Sequence, residues 1–163
     1  GRVRAVATAG TLTARQELVL TQQRVLNDPL DDWHLTSSHS SGLVFDTLNT
    51  QLFDGDLSRV KRNIDAPQQV VYHLADLTGF SARIYWEGEL ADKMTVAISR
   101  DGREWTGIEP ARTPTEHSGG NFRASTLSAD KLPAGTAYLR FTLANDTVVW
   151  SPQLAAVTLY AAR

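Results

Sequence analysis

The chain has 163 residues, 42% of them hydrophobic and 21% charged, enough to bury the core of one domain and short for two. A net charge of −2 offers no basic excess for nucleic acid or an anionic membrane, and no apolar run approaches the roughly 18 residues that span a bilayer. With no cysteine there are no disulfides, no thiolate nucleophile and no cysteine-held metal, so packing alone must hold the core.

Charge divides the chain. Residues 1–27 hold four Arg and one Glu, a balance of +3, whereas residues 28–163 hold 12 basic and 17 acidic groups, a balance of −5. The first segment, in which residues 15–21 read as a strand or a short helix, is expected to be a connector from an upstream domain, with the compact domain running from 28 to 163. Asn27-Asp28-Pro29 punctuates its start, and Trp33 falls in a polar loop that continues into a Ser/His stretch at 37–42. From there the hydrophobic period is two. Val70, Tyr72 and Leu74 alternate with Val71 and His73, and Phe80, Ala82, Ile84 and Trp86 alternate with Ser81, Arg83 and Tyr85. Residues 94–99 put Val96 and Ile98 on one face. Residues 138–143 turn Leu139, Phe141 and Leu143 inward and Tyr138, Arg140 and Thr142 outward.

Asp101-Gly102 supplies the positive φ of a tight hairpin, and Pro133-Ala134-Gly135 marks a turn before the next strand. Residues 109–121, with His117, read as a long loop bordering a site. No long amphipathic helix competes. The pattern predicts an all-β fold, an antiparallel β-sandwich of about eight strands in two sheets.

Candidate chemistry lies in aromatic and arginine side chains. Sugar rings stack their C–H faces on aromatic rings, while carboxylates favour the planar bidentate fork of arginine. By strand parity Arg83 and Tyr85 share one outward side and Tyr138 and Arg140 another; if the two strands lie in one sheet, they form a basic, aromatic surface. Arg59, Lys61 and Arg62 add positive charge favouring an anionic ligand, with pairing to a nearby Asp as the ordinary alternative for Arg59. Trp33 is a further candidate contact. Trp105 and Trp150 read as core or corner residues, and Trp86 shares the buried parity of Ile84. His34, His39, His73 and His117 have no metal-ligand spacing. Glu87 and Glu89 form the one carboxylate pair that mimics a glycosidase, and read as a solvated hairpin rim. The Gly-x-Ser-x-Gly elbow, phosphate-cradling loops and dinucleotide fingerprints are all missing.

Several segments carry a resemblance in order: Ser37 to Ser41 with Phe45-Asp46, Phe53-Asp54-Gly55-Asp56-Leu57-Ser58-Arg59, the Asp101-Gly102 hairpin with Trp105, Leu132-Pro133-Ala134-Gly135 before Tyr138, and Trp150-Ser151-Pro152-Gln153-Leu154. From residue 28 to 160 the chain resembles the galactose-binding-like (discoidin-like) jelly-roll carbohydrate-binding modules of bacterial polysaccharide-degrading enzymes, with xanthan-degrading enzymes as the nearest suggestion. The resemblance implies a noncatalytic module that holds a covalently linked upstream catalytic domain on its polysaccharide. It further implies a secreted, monomeric protein with no nucleic-acid or membrane partner. In such domains the loop matching Asp54-Gly55-Asp56 holds a structural Ca²⁺; carried over by position, its ligands are the Gln51 carbonyl, Asp54, Asp56, Ser58 and Gln153, where a neutral amide replaces an acid.

Three function classes follow. The first is a binding module for an anionic polysaccharide. A protein-interaction or adhesion sandwich would use the same fold with an apolar patch, and a small polysaccharide lyase would need a reaction centre the sequence does not show.

Overall fold

The computed structural model describes residues 2–9, 12–19, 23–88, 93–144 and 152–163, the first two stretches by backbone alone. Strands β1 (Arg2–Ala9) and β2 (Leu12–Val19) pair antiparallel as a hairpin, so residues 15–19 are strand. The remaining strands form two antiparallel sheets.

The smaller sheet has five strands in the spatial order β10 (Thr106–Ile108), β9 (Met94–Ser99), β14 (Tyr138–Leu143), β7 (Gln68–His73) and β4 (Ser38–His39). The larger has eight. Six run in the order β11 (Ala111–Arg112), β13 (Phe122–Ala129), β8 (Leu77–Glu87), β15 (Gln153–Ala162), β6 (Arg59–Arg62) and β5 (Leu43–Asp46). Beside β13 lies β12 (Glu116–Gly119), and beside β15 lies β3 (Gln23–Asp28).

Period-two alternation builds the core as expected. Val70, Tyr72, Val96, Ile98, Leu139, Phe141 and Leu143 from the small sheet meet Phe80, Ala82, Ile84, Trp86, Leu154, Val157 and Leu159 from the large one. Phe80 and Phe141 touch edge to face across the layer, with ring centroids 5.7 Å apart. Among the buried polar side chains, Asp28 accepts bonds from the Tyr72 hydroxyl and the Leu30 N–H, both at 2.8 Å. The pairing is the kind a buried carboxylate requires.

Three expectations are corrected. The sandwich begins at Gln23, because β3 pairs with β15 from Asp28↔Val157 to Gln23↔Ala162, so residues 23–27 belong to the sheet and not to a connector. Residues 109–121 are no long loop, since β11 and β12 both pair with β13. The strands also outnumber the expected eight, because short edge strands such as β4 and β11 are set by their neighbours' pairing and carry no hydrophobic period. Trp150 and Glu89 lie outside the described residues.

The large sheet is covered on both faces. On its outer side a short 3-10 turn (Thr50–Leu52) and the residues after it lie on β8, β12 and β13, burying Phe53 with Tyr85, Ala124 and Ala155. Gly119 permits this approach: a Cβ there would come within 2.7 Å of Leu52 Cα and 2.9 Å of the Gln51 carbonyl oxygen. Asp54 and Gly55, both at positive φ, then reverse the chain.

Candidate functional site

Among the described residues, the outer face of the small sheet has no such cover. Strand register defines it row by row, because residues directly opposite one another across an antiparallel pair share a face. Tyr138 stands between His73 and Ser99, Arg140 between Val71 and Ala97, and Thr142 between Gln69 and Thr95. The middle row continues outward to Ser38 on β4 and Gly107 on β10. Arg140 is therefore the one long side chain in a row of Gly, Ala, Val and Ser, and small neighbours leave a trough around it.

The turn after β9 supplies one wall. The Ser99 hydroxyl accepts from the Gly102 N–H at 2.9 Å, and Asp101 Oδ1 accepts from the N–H groups of Arg103 (2.9 Å) and Glu104 (3.0 Å). These bonds hold the Asp101 carboxyl below its usual range and stiffen the turn. Gly102, at φ +74, sits flat against the Tyr138 ring. The turn delivers Trp105 onto the face. Its ring lies 4.2 Å under the Arg140 guanidinium and edge-on to Tyr138 at 6.4 Å, while His73 stacks on Tyr138 at 4.4 Å.

The result is a groove of about 470 Å³, whose walls include Ser37, Ser38, Gln69, Trp105, Tyr138 and Arg140. Arg140 is half-buried, and its Nε has no acceptor among the described residues. Burial lowers its affinity for the proton, with no acid contributing in the opposite sense. A depression of similar volume on the far side of the same turn, lined by Arg100, Glu104, Pro133 and Thr136 among others, has no aromatic ring in its walls.

The expected surface is thus split. Arg83 and Tyr85 lie on β8 of the large sheet, while Tyr138 and Arg140 lie on β14 of the small one, on opposite outer sides of the sandwich. Parity assigns a side chain to a face of its strand and says nothing about which sheet the strand joins. Tyr85 is buried, with its hydroxyl bonded to the Asp56 carboxylate and within 3.1 Å of the Phe53 carbonyl. Arg83 is engaged by Asp54 at 2.6 Å and Glu116 at 2.9 Å; partial burial opposes its charge, but these ion pairs and the Tyr85 contact outweigh burial and hold the proton more firmly.

Arg59 and Arg62 are not surface contacts either, being fully buried on β6. Arg62 donates to the Ala66 carbonyl at 3.0 Å. Lys61 remains half exposed but is tied to Asp46 at 2.7 Å. Trp33 packs against His39 at 4.0 Å and Phe45 at 4.3 Å, so its ring is a lid on the core and not an open platform.

The calcium set does not fit. Asp54 is held by Arg83 and the Asp56 carboxylate by Tyr85. Ser58 donates its hydroxyl to the Leu30 carbonyl. The Asp56 carbonyl and Gln153 Oε1 both accept from Arg59, at 2.8 and 3.0 Å. Among the described residues no cluster of three or more His, Asp or Glu side chains is arranged to hold a metal.

What sequence reasoning missed is the partnership of Trp105 with Arg140 and the contribution of Ser37, Ser38 and Gln69. The Asp101-Gly102 turn four residues before Trp105 was the local signal; the sheet order that seats Trp105 over β14 had none.

No family model matches this chain, and no curated protein matches it. Among solved structures it is similar to the K2 cleaved adhesin domain of Lys-gingipain, with a TM-score of 0.52 at 15% identity over 83% of this chain and 99% of that one. It is also similar to the K1 cleaved adhesin domain of Lys-gingipain from Porphyromonas gingivalis W83, with a TM-score of 0.49 at 13% identity over 100% and 99%. The K2 comparison shows a shared fold, a β-sandwich module.

Proposed function

We propose that this chain is a noncatalytic adhesion module of an extracellular protein, which holds its ligand on the outer face of the five-stranded sheet. The observation that carries the reading is the state of Arg140: half sunk in a groove, stacked on Trp105, and lacking an acceptor for Nε among the described residues. A partly desolvated guanidinium left unpaired costs stability, and a bound anion would offset that cost. Arg59 and Arg83, by contrast, have their partners within the fold. The likeness to an adhesin domain supports the class.

The chemistry of the groove favours an acidic glycan. A carboxylate would take the terminal nitrogens of Arg140, hydroxyls would meet Ser37, Ser38 and Gln69, and a ring face would lie on Trp105 or Tyr138. Holding an attached enzyme on an anionic polymer, xanthan-like or otherwise, would then raise its local concentration with no chemistry of the module's own. A protein partner is the second reading. It draws on the adhesin likeness and on Leu48 and Leu57, which are 69% and 78% exposed in the segment joining β5 to β6.

Calorimetry and affinity electrophoresis with a polyuronate and its carboxyl-reduced counterpart test the first reading. Arg140→Ala should remove a bond to a charged group, about 1.5–3 kcal/mol or roughly 10- to 150-fold in Kd. Trp105→Ala should weaken binding on the same polymer. Equal binding by wild type and both variants would discard the groove. Protein capture abolished by polar substitution of Leu48 and Leu57, without polymer retention, would favour the second reading. Release of reducing ends or unsaturated uronates would refute the noncatalytic assignment.

A further inference from the structure

We propose that Arg59 is the resident cation of this domain: its guanidinium holds two of the oxygens that the carbohydrate-binding-module resemblance assigns to calcium, the Asp56 carbonyl and Gln153 Oε1, so the loop at 47–58 is locked without a metal. The side chain is fully buried and directs its nitrogens at three oxygens, two from the loop at 47–58 and one from β15. Nε donates to Gln153 Oε1 on β15 at 3.0 Å, one terminal nitrogen to the Asp56 carbonyl at 2.8 Å, and the other to the Leu48 carbonyl at 2.7 Å. Asp46 on β5 supplies the opposite charge at 3.8 Å, and the Phe53 ring closes the face of the guanidinium at 3.7 Å.

Convergence of carbonyl, amide and carboxylate oxygens from loop and last strand is what a hard cation demands. Here a planar fork fulfils it, and arginine suits the role because it stays charged and hands out its donors in fixed directions. A metal ion in the same space would meet a positive group with little water between them and would find two of its expected oxygens already accepting hydrogen bonds. The loop so held carries Leu52 and Phe53, which cover the outer face of the large sheet. The assignment stands whichever ligand the groove takes.

Thermal melts and calorimetry on the whole chain, first chelated and then supplied with calcium, test it. Wild type should show no heat of calcium binding and one melting temperature in both conditions. Arg59→Met should melt several degrees lower. Combining Arg59→Met with Gln153→Glu adds a carboxylate to the oxygens of Asp46, Asp56 and Leu48, and that protein should gain a calcium-dependent rise in Tm. A calcium response in wild type would overturn the proposal, and so would an Arg59→Met protein as stable as wild type or a double variant indifferent to calcium. If the Met variants fail to fold, Arg59→Lys still decides: a lower Tm with no calcium response supports the assignment, and a calcium response overturns it.

Discussion

Tyr85→Phe separates the two faces of this molecule. The sequence alone pairs Tyr85 with Arg140 on one surface, and on that reading losing its hydroxyl weakens ligand binding. In the structure the ring is buried beneath Phe53 and the hydroxyl serves the Asp56 carboxylate, so the same change should reach stability and nothing else. The ring stays, no cavity opens, and the hydroxyl's bond to the Asp56 carboxylate is lost together with its contact to the Arg83 guanidinium, which keeps Asp54 and Glu116. Such a bond contributes about 1.5–3 kcal/mol, and the low end applies because Asp56 is only partly buried and water can replace the donor. A loss of about 1.5 kcal/mol in a domain this size lowers Tm by roughly 3–6 °C. Differential scanning calorimetry gives that number, and affinity electrophoresis of the same protein on a polyuronate should match wild type. A tenfold loss of retention at unchanged Tm would refute the reasoning and move the ligand to the large sheet.

Two further changes probe the loop and its charges. Burial works against the charge of Asp46, yet bonds from the Lys61 ammonium and the Leu48 N–H, with Arg59 nearby, hold its carboxyl below the usual range. A depressed carboxyl adds stability above its unfolded value, near 4, that is lost as pH falls through the folded value; Asp46→Asn should therefore melt lower than wild type at pH 7, with the gap closing below about pH 4. Gly119→Ala would drive a methyl against Leu52 Cα and the Gln51 carbonyl, a backbone clash costing about 1–3 kcal/mol. It should lower Tm and speed hydrogen exchange at Leu52 and Phe53, and unchanged exchange there would show that the turn does not rest on β12.

Period-two alternation, the Asp101-Gly102 and Pro133 to Gly135 turns, and the lack of helical amphipathicity were enough to specify an all-β sandwich and the part of its core that Val70, Tyr72, Phe80 to Trp86, Val96, Ile98 and Leu139 to Leu143 supply, because burial on one face of a strand is a local property of the chain. The same parity placed Tyr138 and Arg140 outward correctly. It could not assign strands to sheets: β14 lies between β7 and β9 through contacts distant in sequence, and β8 joins β13 and β15 in the opposite layer. That one fact divides the expected binding surface in two. Which outward residues stay outward was equally a tertiary matter, since Tyr85 and Arg59 went under a loop that only Gly119 admits so close. A guanidinium looks the same in sequence whether water, a loop carbonyl or a ligand will face it, and packing decides among them.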